Sequence, residues 1–498
     1  MVPLEKSDNA RYQQIAQLIA LFESGCTAEA QYEAKRLIEI WPQDAECWRN
    51  YAFIVSRNGD EQTKQVLQQA LIFNPNDIHL LRELSRELVG QGNLKEAEVY
   101  LARAVNVDRQ SPEVLFEYAS MQFQLQNFEK ALASFLDLIR ISPRVLDAYR
   151  GAISCQLKLR NRDAALEICR TGIVQMPDCA PLYLQRADLL MQQIEFSAAI
   201  VDYKKAIALG EKSETCYLNL GIALKNCGEF SESLVFLKLA TDGLLNYLIL
   251  HSQGLDKARR IPTQKNLESH WAKLILQSLK GRFAKHQIDW CLMAGTLLGI
   301  YRDGGFIRGD KDIDIAMPFE IDRGVLVDIL CQDGEFVVQS YYAKKWQQHA
   351  KYSLTIKHRA SDICVDIFFL EPVTETCFLM GIDHPGQAIL SQLSRFDFAY
   401  FEWQGEMWPV PGNVERYLLE IYGNSWREPN PFYDTIISHP CRIAASIPVV
   451  LCYGYAHLYA CLSNQKWKHA LAYAEQLLQR QEDELLHKIA AQCRVWDE

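Results

Sequence analysis

The sequence predicts a multidomain chain: an all-α solenoid of helical hairpins, then a small α/β domain with a mixed sheet, then a C-terminal helical segment. Three observations predict it. Small and aromatic residues recur every 34 positions through the first half, the hydrophobic period switches from 3.6 to 2 near Ile288, and it returns to 3.6 beyond Pro431. A chain of 498 residues is also too long for one core, which sets an expectation of about two to four domains.

The repeat phase is carried by position. Ala97, Ala131, Ala165, Ala199 and Ser233 stand 34 residues apart, as do Leu81, Leu115, Tyr149, Tyr183 and Tyr217. A third series runs Ala104, Leu138, Gly172, Ala206 and Ala240, and Pro143 and Pro177 keep the same spacing. Small residues at these places let the two antiparallel helices of a hairpin pack closely. The period and residue classes resemble the tetratricopeptide repeat, and about seven repeats are expected over residues 11–243. Such arrays present a concave surface, so a protein or peptide partner is expected there; a passive spacer is the plainer alternative. Residues 244–264 read as a capping helix and linker, and a helix over 265–286 opens the α/β domain, expected to end near 435.

The densest chemistry lies between Asp289 and Met317. Residues 288–293 read as a strand, Ala294 to Thr296 as its turn, and Leu297 to Tyr301 as the start of a helix. A turn of small residues opening a helix offers backbone N–H groups to an anion, so Gly295 and Thr296 are candidate phosphate contacts. The run of Asp310, Asp312 and Asp314 ends in a period-2 pattern that puts Asp312 and Asp314 on one face and Ile313, Ile315 and Met317 on the other. Two carboxylates so close raise each other's pKa unless a cation lies between them. Hard oxygen ligands suit Mg²⁺ or Mn²⁺.

Further on, residues 351–359 and 361–372 read as a hairpin. Its second arm carries Asp366 between Val365 and Ile367, and an acidic residue in an apolar strand needs a partner. Asp366 is therefore the expected third metal carboxylate or general base. Asp362, four residues earlier on the same face, is its main competitor.

A small-residue turn, a helix, an Asp-x-Asp strand and a third Asp resemble the nucleotidyltransferase superfamily. GTLLGIYRDGGFIRGDKDIDI, followed by VPGNVERYLLEIYGNSWREPNP at 410–431, is similar to the LicD/fukutin family within it. The chain departs from that family's pattern at Arg308-Gly309, where Pro-Trp is usual, and at Lys311, where an acidic residue is usual. The resemblance implies Mg²⁺-dependent transfer of phosphocholine or a phospho-alditol such as ribitol phosphate. The donor would be CDP-linked and the acceptor a sugar hydroxyl of a glycan, such as a cell-surface polysaccharide. It makes Asp312, Asp314 and Asp366 the metal and catalytic carboxylates, and Arg302 and Arg308 candidates for bidentate phosphate contacts. Two alternatives stand beside it: transfer of a nucleotide to a small molecule or protein, and a non-enzymatic repeat scaffold with an inactive domain.

The net charge of −10 argues against a nucleic-acid binder. The first residues, MVPLEKSDNARYQQ, carry no export signal, and the longest apolar run, Ile447 to Leu462, is short for a transmembrane segment. The fifteen cysteines are scattered with no CxxC pair. A cytoplasmic protein is expected. Residues 436–498 should form a helical, repeat-like hairpin, with Ala470, Ala474 and Leu477 on its packing face.

Overall fold

The computed structural model describes residues 8–58, 62–251, 269–307, 310–339, 351–384, 388–443 and 446–497. It divides into two compact units, Met1–Leu189 and Leu190–Glu498.

The repeat helices come in pairs: Asp8–Glu23 with Thr27–Ile40, Ala45–Asn58 with Thr63–Phe73, Ile78–Gly90 with Leu94–Val107, Pro112–Gln124 with Phe128–Ile141, and Leu146–Lys158 with Arg162–Gln175. The helices Ala180–Gln192 and Phe196–Ala208 follow in sequence, and then Glu214–Cys227 with Phe230–Leu250 (α1 to α14 in chain order). The periodic small residues do what their spacing predicts. Ala97, Ala104, Ala131 and Ala165 are fully buried, and a Cβ on Gly151 would lie 2.4 Å from the ring of Phe135. The recurring aromatics and prolines are one device. Tyr149 Oη donates to the Pro143 carbonyl and Tyr183 Oη to that of Pro177, each at 3.0 Å, and Trp48 Nε1 donates to Pro42 O at 2.8 Å. In each case an aromatic donor pins the turn six residues before it.

The turn inside the hairpin is periodic as well. Gly92, Gln126, Arg160, Ile194 and Gly228, 34 residues apart, all take positive φ of 60° to 87°. The N–H of the residue after each returns to the carbonyl five positions back at 2.8–2.9 Å, from Asn93 to Leu88 through to Glu229 to Leu224. This is the Schellman arrangement that glycine favours. Three of the five turns are built without glycine. Ile194 is the costliest of these, since a β-branched side chain in left-handed backbone loses about 1–2 kcal/mol. Glycine there would forfeit only roughly 0.5–1 kcal/mol in the unfolded chain. Ile194 is 46% exposed and so buries little. Ile194→Gly is expected to raise the thermal midpoint, followed by circular dichroism, by about 2–4 °C; a fall would mean that the isoleucine packs more than it strains.

In the second unit α14 runs on to Leu250, so the residues after Gly243 continue the last repeat helix and do not start a separate cap. The linker beyond His251 lies outside the described residues. By length and composition α14 is apolar enough to cross a membrane. Its Phe230, Leu237, Leu245 and Leu248 instead share a core with Val449, Tyr455, Leu458 and Leu477. Those partners lie on α19 (Ile447–Ser463) and α20 (Trp467–Leu478), which with α21 (Glu484–Asp497) form the C-terminal segment. The expected terminal hairpin is thus α19–α20, with Ala470, Ala474 and Leu477 buried, and it packs back on the repeat helix. The α/β domain is inserted in sequence between two helices that share one core.

That domain opens with α15 (Ser269–Lys285), whose Ile275, Leu276, Leu279 and Phe283 are buried against the sheet. Its strands are β1 (Cys291–Leu292), β2 (Asp312–Pro318), β3 (Phe336–Val338), β4 (Ser353–His358), β5 (Cys364–Pro372), β6 (Cys377–Ile382) and β7 (Ile389–Ser394), with a separate hairpin of β8 (Phe398–Trp403) and β9 (Glu406–Pro411). The order is β1-β2-β5-β4-β3, with β6 on the end of β5 and β7 beside β6. β2 and β5 are parallel and the other pairs antiparallel, so the sheet is mixed. The helix α16 (Ala294–Leu298) already begins at Ala294, inside the stretch read from sequence as a turn, and passes into a wider π turn over Gly299–Asp303. The helices α17 (Arg323–Cys331) and α18 (Val414–Tyr422) complete the domain.

Candidate functional site

The alternation in β2 divides its two faces as the period demands. Ile313, Ile315 and Met317 are fully buried in the core, which leaves Asp312 and Asp314 together on the other side of the strand. The parallel register then sets Asp314 directly opposite Asp366, and β4 brings Thr355 opposite Asp366 from the far side. Thr355 Oγ1 donates to Asp366 Oδ1 at 2.5 Å. Asp362, the competing carboxylate, stands in the hairpin turn with its side chain 71% exposed and paired to Lys357 at 2.8 Å. Asp366 is the one that joins the cluster.

Residues 293–296 grip Asp314 closely. Gly295 N–H donates to its Oδ2 at 2.9 Å, its own N–H donates to Thr296 Oγ1 at 2.9 Å, and Met293 N–H donates to its carbonyl at 3.2 Å. Gly295 is a matter of close approach. A Cβ there would lie 2.7 Å from Asp310 Oδ2 and 3.2 Å from Asp314 Oδ2. The same contacts commit N–H groups that the sequence offers to phosphate: Gly295's is on Asp314, and Ala294's is on Tyr417 Oη at 3.0 Å.

Asp310 is the member that sequence reasoning passed over, although the Asp-x-Asp-x-Asp alternation contains it. Burial and then the Asp312 charge push its pKa up to about 7. Asp312 is also raised, by burial. The two carboxyl groups lie close enough for each to shift the other. Burial raises Asp314 well above the carboxylate range, with Asp312, Asp310 and Asp366 adding to it. Asp366 is pushed up to about 6 by burial and Asp312, against the lowering effect of Thr355. Four half-buried carboxylates that oppose one another's ionisation are, in kind, the donor set of a hard divalent cation. As they stand they are spent on one another, on Gly295 and on Thr355: among the described residues no three His, Cys, Asp or Glu side chains converge as ligands.

Arg302 is not brought to this cluster by any of its hydrogen bonds. Its Nε and Nη2 hold Asp303 at 2.8 and 2.7 Å, and its Nη1 donates to the Trp426 carbonyl at 3.2 Å. It clasps the closing segment, where Trp426 is buried beside Tyr301. Arg308 lies outside the described residues. A second unpredicted contributor is Tyr417, on α18, whose buried hydroxyl meets Ala294 across 123 residues of chain. No local pattern in the sequence could have paired them.

Residues 287–413 match the family described as LicD/FKTN/FKRP, nucleotidyltransferase domain. The stretch that matches this family follows the array of helical hairpins. The chain is 19% identical to the BBSome complex member BBS4 homolog of Drosophila melanogaster over 43% of its own length and 45% of that protein's. It is 23% identical to the DnaJ homolog subfamily C member 7 homolog of Dictyostelium discoideum, over 38% and 35%. The chain therefore spans less than half the length of these curated relatives. Among solved structures it is similar to a tetratricopeptide repeat protein from Parabacteroides merdae, with a TM-score of 0.34 at 18% identity over 49% of this chain and 99% of that one. It is also similar to YrrB, a TPR protein with an unusual peptide-binding site, with a TM-score of 0.32 at 15% identity over 39% and 100%.

Proposed function

We propose that the LicD domain at 287–413 transfers a phospho-substituent, of phosphocholine or phospho-alditol type, from a CDP-linked donor to a sugar hydroxyl of a glycan, while the repeat array recruits a protein or peptide partner or the acceptor. The observation that carries this reading is the register of Asp314 on Asp366, which gathers carboxylates from two strands at one half-buried spot beside Gly295. Asp310, Asp312, Asp314 and Asp366 would hold Mg²⁺ or Mn²⁺. When bound, the ion would offset the pyrophosphate charge and stabilise departing CMP.

The remaining chemistry falls to the chain. The acceptor oxygen bonds to the donor's transferred phosphorus as the phosphoanhydride bond to CMP breaks, and the hydroxyl proton passes to a carboxylate. Asp366, with its pKa near 6, is the carboxylate we assign either to take that proton or to share in holding the ion. Half-buried on an apolar sheet, these groups act where charge interactions are stronger than in bulk water.

Thermal shift and CMP release with CDP-ribitol, CDP-choline and nucleoside triphosphates, each with and without Mg²⁺, test the reading. Metal-dependent stabilisation by a CDP-conjugate, with CMP released and both effects lost in Asp312→Ala/Asp314→Ala, is the expected result. Preference for a triphosphate would move the protein to nucleotide transfer. No response to any nucleotide would leave a scaffold.

A further inference from the structure

Of residues 293–296, Met293, Gly295 and Thr296 each bond directly to Asp314. Ala294 is held from outside instead. Its φ of +42° is left-handed backbone, which an alanine rarely adopts. Such a conformation persists only where the surroundings over-determine it. Its N–H lies at the start of α16, where no intrahelical acceptor exists, and is taken by Tyr417 Oη at 3.0 Å. Tyr417 is itself fixed. It is 3% exposed, it packs on Phe396 with ring centroids 6.0 Å apart, and its helix α18 is capped by Asn413.

We infer that Tyr417 is a positioning residue: its hydroxyl holds Ala294 in the left-handed conformation and so keeps the Gly295 N–H on the Asp314 carboxylate. This rests on the reading of Asp314 as a site carboxylate. Removing the acceptor leaves the half-buried Ala294 N–H without this partner and lets Ala294 relax toward negative φ, which turns the next peptide, that of Gly295, away from Asp314. The closing segment, distant in sequence, thereby sets the orientation of the central carboxylate.

The test uses the full chain with Tyr417→Phe, Ala294→Gly and the double variant. Glycine takes a positive φ without strain, so the turn it makes has no need of the tether. Hydrogen–deuterium exchange over residues 291–298 and Mn²⁺ affinity by electron paramagnetic resonance are read on each. Tyr417→Phe should speed exchange and weaken Mn²⁺ binding, each about tenfold, as expected when a half-buried donor loses its acceptor. In the CMP-release assay it should lower kcat with the donor KM unchanged. Adding Ala294→Gly should restore most of all three. Unchanged exchange in Tyr417→Phe, or equal losses in the single and double variants, would overturn the inference. If Tyr417→Phe does not fold alone, Ala294→Gly with and without it must behave alike, and a difference between them overturns the inference too. A wild type that binds no Mn²⁺ counts against the functional reading, and the exchange results then decide the role of Tyr417 by themselves.

Discussion

Asp314→Asn is expected to abolish metal-dependent transfer and, in metal-free buffer, to make the protein more stable. Both effects have the same origin. Asp314 sits among Asp310, Asp312 and Asp366 in a half-buried place where ionisation is opposed first by desolvation and then by its neighbours' charges. Asparagine has the same shape and still accepts the Gly295 N–H, but carries no charge to bury. Loss of a carboxylate ligand should cut activity by more than about a hundredfold, since even the partners that support metal ligands are worth about 10- to 100-fold. The relief of charge burial should raise the metal-free melting temperature by roughly 3–6 °C. The pH dependence follows from the direction of the shifts. Carboxyl groups raised in the folded state contribute stability that is fully present below the ordinary aspartate range and is lost as pH rises through the folded values, about 6 for Asp366 and about 7 for Asp310. With EDTA present, wild type should lose stability between about pH 4 and pH 7. The gap to Asp314→Asn should be widest above pH 7 and close toward pH 4. Saturating Mg²⁺ should reverse the order. Melting curves of both proteins across this range, with and without metal, check the prediction, and equal stability at neutral pH would show that the cluster is not under charge strain.

Gly295→Ala should uncouple activity from stability in the opposite way. The added methyl would meet Asp310 Oδ2 at 2.7 Å and Asp314 Oδ2 at 3.2 Å. Both are ends of side chains, so the fold can yield where the site cannot. A displacement near 1 Å at a reacting centre costs about a hundredfold, and kcat is expected to fall by that order. The melting temperature should move by less than about 3 °C. Gly281→Ala, where a Cβ meets nothing within 4 Å, serves as the control, with activity kept and the exposed helix slightly strengthened. Wild-type turnover in Gly295→Ala would mean that Asp310 takes no part in the site.

The domain architecture was legible because burial leaves a local record. The repeat phase of Ala97, Ala131 and Ala165 marks where two helices must approach, and the strand period of Asp312-Ile313-Asp314-Ile315 marks which face is core. Both signals are written within a few turns of the chain that uses them. Other local facts carried no signal at all. Nothing in Gln126, Arg160 or Ile194 announces a left-handed turn, because those residues adopt it only when the hairpin around them leaves no alternative.

The site divides along the same line. Sequence by itself determined that carboxylates would alternate along β2 and that an aspartate in the apolar strand β5 would need company. Only the tertiary structure decided that Asp366 and not Asp362 faces Asp314, that Asp310 belongs with them, that Arg302 is bonded to Asp303 and Trp426, and that Tyr417 holds Ala294 from the other end of the domain. Periodicity reports whether a side chain is buried. Which buried group meets which depends on strand register and helix docking over 50 to 120 residues of chain, and those are set by packing the whole core at once.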